Sequence, residues 1–217
     1  MKKNITVLSA VILLAGSSIL TSCKKDDVTA PVVTLNGGDE TVSLQGNFVD
    51  LGATAHDNKD GDLSASVSGN VDVNHTGVYT LVYTATDAAG NSGTASRNVT
   101  VVNDLESMTG VYSCTITPGS YTYTQTISAS STVNRRLNFG KFGDYAGNTG
   151  IYADVNNTGT TSPITLPSQT AVQVGSPATD RTFAGTGLRV SATAFGLGYT
   201  ETTPSATTSY TETFVKQ

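Results

Sequence analysis

The sequence predicts an all-β protein, a β-sandwich followed by a small antiparallel meander that closes into an eight-stranded barrel. Three observations predict it. Beyond the first two dozen residues no apolar side chains recur at helical spacing, and short runs alternate apolar with polar between Gly, Asn, Asp and Pro. Charge is sparse, with 13% Asp, Glu, Lys and Arg, while Gly numbers 22 and Trp is missing, a composition typical of extracellular β proteins. There are only two cysteines, Cys23 and Cys114, so core and sheet must hold the fold without a framework of disulfides.

The chain opens on Met1-Lys2-Lys3-Asn4 and runs into the apolar stretch Ile5 to Gly16, with no acid before Asp26. Such a run, broken by Gly16-Ser17-Ser18, is short for a spanning helix and has the order of an export signal. Leu20-Thr21-Ser22-Cys23 follows. This resembles the bacterial lipobox, which implies cleavage of residues 1–22 and lipid on Cys23. One acyl chain holds weakly at about 0.8 kcal/mol per buried methylene, so the several chains of bacterial lipoproteins imply firm anchoring. Residues 23–30 read as a lipidated Cys and short tether. Cys23-Lys24-Lys25-Asp26-Asp27 resembles the start of Bacteroidetes-type lipoproteins, implying an outer-membrane protein that faces the cell exterior. Loss of Lys2 and Lys3 takes the basic residues from 12 to 10 against 17 acids, and the net charge from −5 to −7. This balance argues against nucleic acid and against charge-driven binding to anionic lipid.

Residues 31–103 read as the sandwich. Val32-Val33-Thr34-Leu35, Thr41 to Leu44, Phe48 to Ala53 and Val71-Asp72-Val73 are short strand candidates. The clearest strand is Gly77 to Asp87, with Tyr79, Leu81, Tyr83 and Ala85 on one face and Val78, Thr80, Val82, Thr84 and Thr86 on the other. A turn at Asp87 to Asn91 returns the chain along Thr94 to Val102. About seven strands at this spacing predict an Ig-like sandwich. Asp50-Leu51-Gly52-Ala53-Thr54-Ala55, Asp57 with Asp60-Gly61-Asp62, Gly77-Val78-Tyr79, Tyr83 to Asn91 and Arg97-Asn98-Val99 occur in order. Together they resemble the bacterial Ig-like domain of pesticidal crystal proteins and surface lipoproteins, which implies a spacer or adhesion module without catalysis.

Residues 104–217 read as the meander. Eight runs begin near Gly110, Tyr121, Arg136, Gly150, Pro163, Arg181, Leu197 and Thr208, and closure would remove the exposed edges. The opening Gly110-Val111-Tyr112 and the terminal aromatic strand resemble lipocalin-like barrels. Asn138-Phe139-Gly140 with Ile164 to Gln169 resembles the C-terminal β domains of Bacteroidetes lipoproteins.

No catalytic set emerges, and the protein reads as a non-enzyme. His56 beside Asp57 could form a dyad, but neither a nucleophile turn nor metal-ligand spacing accompanies it. The barrel carboxylates Asp144, Asp154, Asp180, Glu201 and Glu212 include no pair that sequence brings together. Cys114 reads as a small buried hydrophobe. No cofactor is expected, with one candidate for calcium: Asp57, Asp60 and Asp62 crowd oxygen ligands around Gly61, although Lys59 opposes a cation and Asp residues at turns often cap their own backbone. Tyr112, Tyr121, Tyr123, Tyr145, Tyr152, Tyr199 and Tyr210 could offer aromatic faces to a glycan, or could simply fill the core. A barrel mouth could also take a small apolar ligand. The expected function is ligand binding, with glycan as the ligand, by a β domain held out on an Ig-like spacer. Alternatives are an adhesion component with an envelope protein as partner, and a hydrolase with an unrecognised site.

Overall fold

A computed structural model describes residues 26–144, 150–157, 159, 161–171 and 180–217. The expected signal peptide and lipidated Cys23 lie outside the described residues, as does Tyr145. The chain is nearly all β, as the alternating runs predict. Between residues 32 and 102 it forms seven strands: β1 Val32–Leu35, β2 Glu40–Ser43, β3 Ala53–Asp57, β4 Gly61–Ser64, β5 Ser66–Ser68, β6 Gly77–Thr86 and β7 Ser92–Val102. They make two sheets, β1-β3-β4 and β2-β7-β6-β5, in which β2 runs parallel to β7 and every other pairing is antiparallel. The sheets bury Val42, Leu44, Leu81, Tyr83, Val99 and Val101 between them. On β6 the face carrying Leu81, Tyr83 and Ala85 is the buried one, with Tyr79 half-buried, as its period of two requires.

Two stretches differ from the expected strands. Residues 48–52 and 71–73 join no ladder. Asp50 is instead turned toward the other sheet, where its Oδ1 accepts from the Tyr83 hydroxyl at 2.6 Å and from the buried Arg97 guanidinium. Conversely, Gly61–Ser64 and Ser66–Ser68 form β4 and β5, where no strand was expected.

The second half is an eight-stranded closed barrel. Its strands are β8 Gly110–Thr117, β9 Tyr121–Ala129, β10 Arg136–Phe139, β11 Tyr152–Val155, β12 Pro163–Ala171, β13 Arg181–Arg189, β14 Ala194–Thr202 and β15 Thr207–Lys216. Each pairs with its neighbour in sequence, and β15 returns to β8 through Thr211↔Thr117 to Lys216↔Tyr112. Every one of the eight expected runs becomes a strand. A bulge interrupts β12 between Leu166 and Gln169, and there the Gln169 amide bonds the Tyr152 N–H at 3.0 Å and its C=O at 2.6 Å, extending the ladder with a side chain.

The barrel axis is filled. Tyr112, Tyr123, Phe139, Phe142, Phe183, Phe195, Tyr199 and Phe214 are all buried inside, with Phe195 and Phe214 stacked at 4.3 Å. β13 makes room for them with glycine. A Cβ on Gly185 would lie 2.2 Å from the Gly198 carbonyl oxygen and 2.7 Å from Tyr199 Cβ. Among the described residues the barrel interior is therefore a packed core.

Connectivity gives the molecule a direction. β7 ends at the junction 103–109, whose Leu105 and Met108 are buried in the barrel core. Asn103 is buried there, its amide donating to the Ser130 and Val133 carbonyls at 2.8 and 3.0 Å and its oxygen accepting from the Leu105 and Arg135 N–H groups, both at 3.1 Å. The Thr76 N–H bonds the Ser131 carbonyl at 2.9 Å and the Asn134 N–H bonds Gln45 Oε1 at 3.1 Å. The barrel end formed by residues 130–135, 156–157, 161–162 and 190–193 is thus the near end. Turns 118–120 and 203–206 lie at the far end, with the stretch Phe142–Asp144 inserted among the core rings.

Candidate functional site

Three polar constellations stand out, each built by strand ends. The first lies at the end of the sandwich opposite the junction, where β3 and β6 both finish. Asp57 closes β3, and its Oδ1 accepts from the N–H groups of Lys59 and Asp60 at 2.8 and 2.9 Å, which shapes the turn into β4. Asp87 follows β6 and does the same for Asn91, taking its backbone N–H and side-chain amide, both at 2.8 Å. Asp60 Oδ2 accepts the Ala88 N–H at 2.7 Å and locks the two turns together. Asp27 joins them from the incoming segment, so that Asp27, Asp57 and Asp87 each place a carboxylate oxygen within 4.8 Å of the others. The Asp60 and Lys59 amides hold the Asp57 carboxyl below the usual carboxylate range. At Asp87 burial opposes ionisation, but the Asn91 side-chain and backbone bonds outweigh it and the carboxyl also lies low.

The expected trio of Asp57, Asp60 and Asp62 is not one cluster. Asp60 is bonded to the Ala88 amide, and Asp62 stands out in solvent on His56 Nδ1 at 2.8 Å. His56 therefore faces Asp62 rather than its neighbour Asp57, while His75 bonds Asp72 at 2.7 Å. Asp27 and Asp87 were not foreseen, because each had a self-sufficient reading as tether or turn cap. Their signal was topological: the ends of two strands running in one direction meet at one end of a sandwich.

The second constellation lies inside the barrel. Glu212 is 0% exposed and its Oε1 accepts from the Tyr123 hydroxyl, which in turn accepts from Gln125 Nε2 at 3.1 Å and the Gly143 N–H at 3.0 Å. Gln125 Nε2 also reaches Cys114 Sγ at 3.4 Å. Burial pushes the Glu212 carboxyl up to about 7 against the Tyr123 and Tyr199 hydroxyls, which favour the ionised form. Burial likewise pushes the Cys114 thiol up to about 12, so it is an inert core group, as its reading as a small hydrophobe requires.

The third is the far lip of the barrel. Tyr121 is 53% exposed there, its ring stacked on Tyr123 and its hydroxyl bonded to Asp144, which also pairs with Lys141. The other tyrosines offer less. Tyr112, Tyr123 and Tyr199 are core, and Tyr152 is covered by the Arg136 guanidinium 3.6 Å above its ring. Arg136 forks onto Asp154 at 2.7 and 2.9 Å, and Glu201 is paired with Arg181. Asp180 is exposed.

Against known proteins, residues 33–101 match the family model described as bacterial surface protein, Ig-like domain. The match stops where β7 meets the junction, so the barrel lies beyond it. No curated protein matches the chain. Among solved structures, the chain is similar to the lipoprotein BT2262 from Bacteroides thetaiotaomicron, with 20% identity, a TM-score of 0.32, and coverage of 86% of this chain and 100% of that one. It is also similar to a structure of CBM51-2 in complex with GlcNAc and INT domains from Clostridium perfringens ZmpB, at 19% identity and a TM-score of 0.28. That likeness covers 85% of this chain and 43% of the other. At such TM-scores neither resemblance bears on the sites.

Proposed function

We propose that the chain is a non-catalytic lipoprotein of the bacterial cell exterior, held to the outer membrane by lipid on Cys23, whose Ig-like domain carries a barrel that binds glycan at its far lip. The observation that carries this reading is the contrast between the two parts of the barrel. Its axis is packed with aromatic rings, so recognition falls to the surface. At the end away from the sandwich, Tyr121 offers an exposed ring beside the Lys141–Asp144 pair. An aromatic face flanked by fixed charge is a suitable partner for a sugar's apolar face and hydroxyls. The order of the chain supports the orientation, since Cys23 precedes the sandwich and the far lip is the last part of the molecule reached from it.

Affinity gel electrophoresis of the full chain against a panel of polysaccharides tests the binding. Retardation by at least one is expected, and Tyr121→Ala should weaken it about tenfold, near 1.4 kcal/mol. Absence of retardation across the panel would reject the glycan reading, and capture of an envelope protein at the same lip would replace it with adhesion. Acyl labelling and membrane fractionation of Cys23→Ala test the anchor.

A further inference from the structure

We propose that Asp27, Asp57 and Asp87 bind one calcium ion, which clamps the segment entering the Ig-like domain to the turns after β3 and β6. Three carboxylates from three separate stretches converge to within 4.8 Å of one another. Oxygens on one calcium, at 2.3–2.6 Å each, lie at most about 5 Å apart, so the cluster already fits inside one coordination sphere. A second observation is independent of the clustering. Asp57 is 2% exposed, and its Oδ1 is occupied by the Lys59 and Asp60 amides. Its Oδ2 is buried and, among the described residues, accepts no hydrogen bond. A buried carboxylate oxygen without a donor costs free energy unless a cation meets it, and Oδ2 is the oxygen that Asp57 can offer to the cluster.

The donor set selects the metal. It is all oxygen, without Cys or His, which disfavours zinc. It comes from a tether and two turns and is irregular, which suits calcium better than magnesium with its demand for an octahedron. Among the described residues the cation beside the cluster is Lys59, whose Nζ lies 3.6 Å from Asp27 Oδ2. The Lys59 side chain is half-exposed and can move aside. The approach of the segment is built in. Pro31 passes so close over β7 that a Cβ on Gly93 would lie 1.8 Å from its carbonyl oxygen, and Asn91 Nδ2 donates to the Asp27 carbonyl at 3.1 Å. Since Asp27 follows Cys23 by only a few residues, the ion would stiffen the chain between lipid and domain.

Calcium titration of the full chain in detergent, after chelation with EGTA, tests this by calorimetry and by thermal melting. One site per chain is expected, with Kd on the order of 10⁻⁴–10⁻³ M or tighter. Asp27→Asn should weaken binding at least tenfold while the chain still folds in EGTA, because among the described residues the Asp27 side chain bonds the exposed Thr29 N–H and pairs with the half-exposed Lys59. Asp57→Asn should abolish binding; it keeps the Oδ1 acceptor that the turn needs, and if it does not fold, Asp27→Asn still decides. Lys59→Met should tighten binding several-fold. Asp62→Asn should change nothing, as Asp62 points to solvent. Magnesium should bind at least tenfold more weakly. The proposal is overturned by no heat and no melting shift up to about 10 mM calcium, by an Asp27→Asn chain that binds like the parent, or by an Asp62→Asn chain that loses binding. The site stands or falls apart from the glycan reading, since none of these variants touches the barrel.

Discussion

Replacing Glu212 with Gln should remove a pH dependence that the barrel core imposes on stability. In the folded barrel the carboxyl titrates near 7, against 4.5 for an ordinary Glu. Between those values the unfolded chain has released its proton while the folded barrel keeps it. Unfolding therefore becomes easier as pH rises from about 4.5 to about 7, and the loss is complete above that range. The gap is about 2.5 units, and at 1.36 kcal/mol per unit it corresponds to about 3 kcal/mol as an upper value. Gln keeps the shape and an acceptor for the Tyr123 hydroxyl without a charge to bury. Near pH 4.5 parent and Glu212→Gln should be close in stability; by pH 8 the variant should be ahead by up to about 3 kcal/mol. Carboxylates held low, such as Asp57 and Asp87, lose their stabilisation as pH falls, but they contribute equally to both proteins and cancel in the difference. The assay is urea unfolding at pH 4.5, 6, 7 and 8 by tyrosine fluorescence, with exposure of the buried Cys114 thiol reporting the barrel specifically. A difference in stability that stays flat across this range would refute the reasoning.

Three further outcomes follow from buried groups. Asp50→Ala should cost about 3–5 kcal/mol by leaving the Arg97 guanidinium buried without its partner, whereas Arg97→Met should cost less than about 1 kcal/mol because Asp50 can turn to water; urea melts distinguish them, and equal losses would contradict the asymmetry. Gly185→Ala should cost about 3 kcal/mol, the upper range for overpacking, since its Cβ would strike backbone on β14; a melting temperature equal to the parent's would contradict that close approach. Asn103→Ala should cost at least about 2 kcal/mol by orphaning buried donors and acceptors at the junction, and should speed proteolysis between residues 103 and 109; unchanged cleavage would show that the bonds do not hold the junction.

How far the sequence could be read depended on whether a residue's role is local. The barrel strands were legible because Tyr112, Cys114 and Ile116, or Tyr123, Gln125 and Ile127, alternate in and out without outside help. Closure followed from the need to remove edges. The filling of the axis did not, because a Tyr in an alternating strand can face a sugar or a core, and only the meeting of β13 glycines with Leu197 and Tyr199 decides. In the sandwich, Leu63, Ala65 and Val67 alternate too, but the run is short and no strand was read there. Phe48 to Leu51 has strand composition, yet Asp50 is drawn across to Arg97, a pairing that depends on distant chain. Asp57 was legible as an oxygen-rich turn; its partners Asp27 and Asp87 required the topology.

That topology also constrains what the two ends of the molecule can do. β7 begins beside the acidic cluster and ends at Asn103, and its 11 residues span roughly 36 Å at the rise of an extended strand. The same strand pairs with β6 from Ser92 to Val101 and with β2 from Val99 to Val102, so it is a braced rod and not a linker. Three hydrogen bonds at Asn103 then fasten its end to the barrel loop 130–135, and a fourth, from the Leu105 N–H, shapes the junction itself. Among the described residues, the weak point for stiffness is therefore the segment 26–30, where no strand pairing holds the chain. A single cation across Asp27, Asp57 and Asp87 would act where the arm lacks a ladder, and it would leave the far lip untouched. Calcium should accordingly change hydrogen exchange around residues 26–31, 57–61 and 87–91, with no change in the barrel. Equal protection changes in both halves would mean that the ion acts on the whole fold and that the arm has no separate hinge.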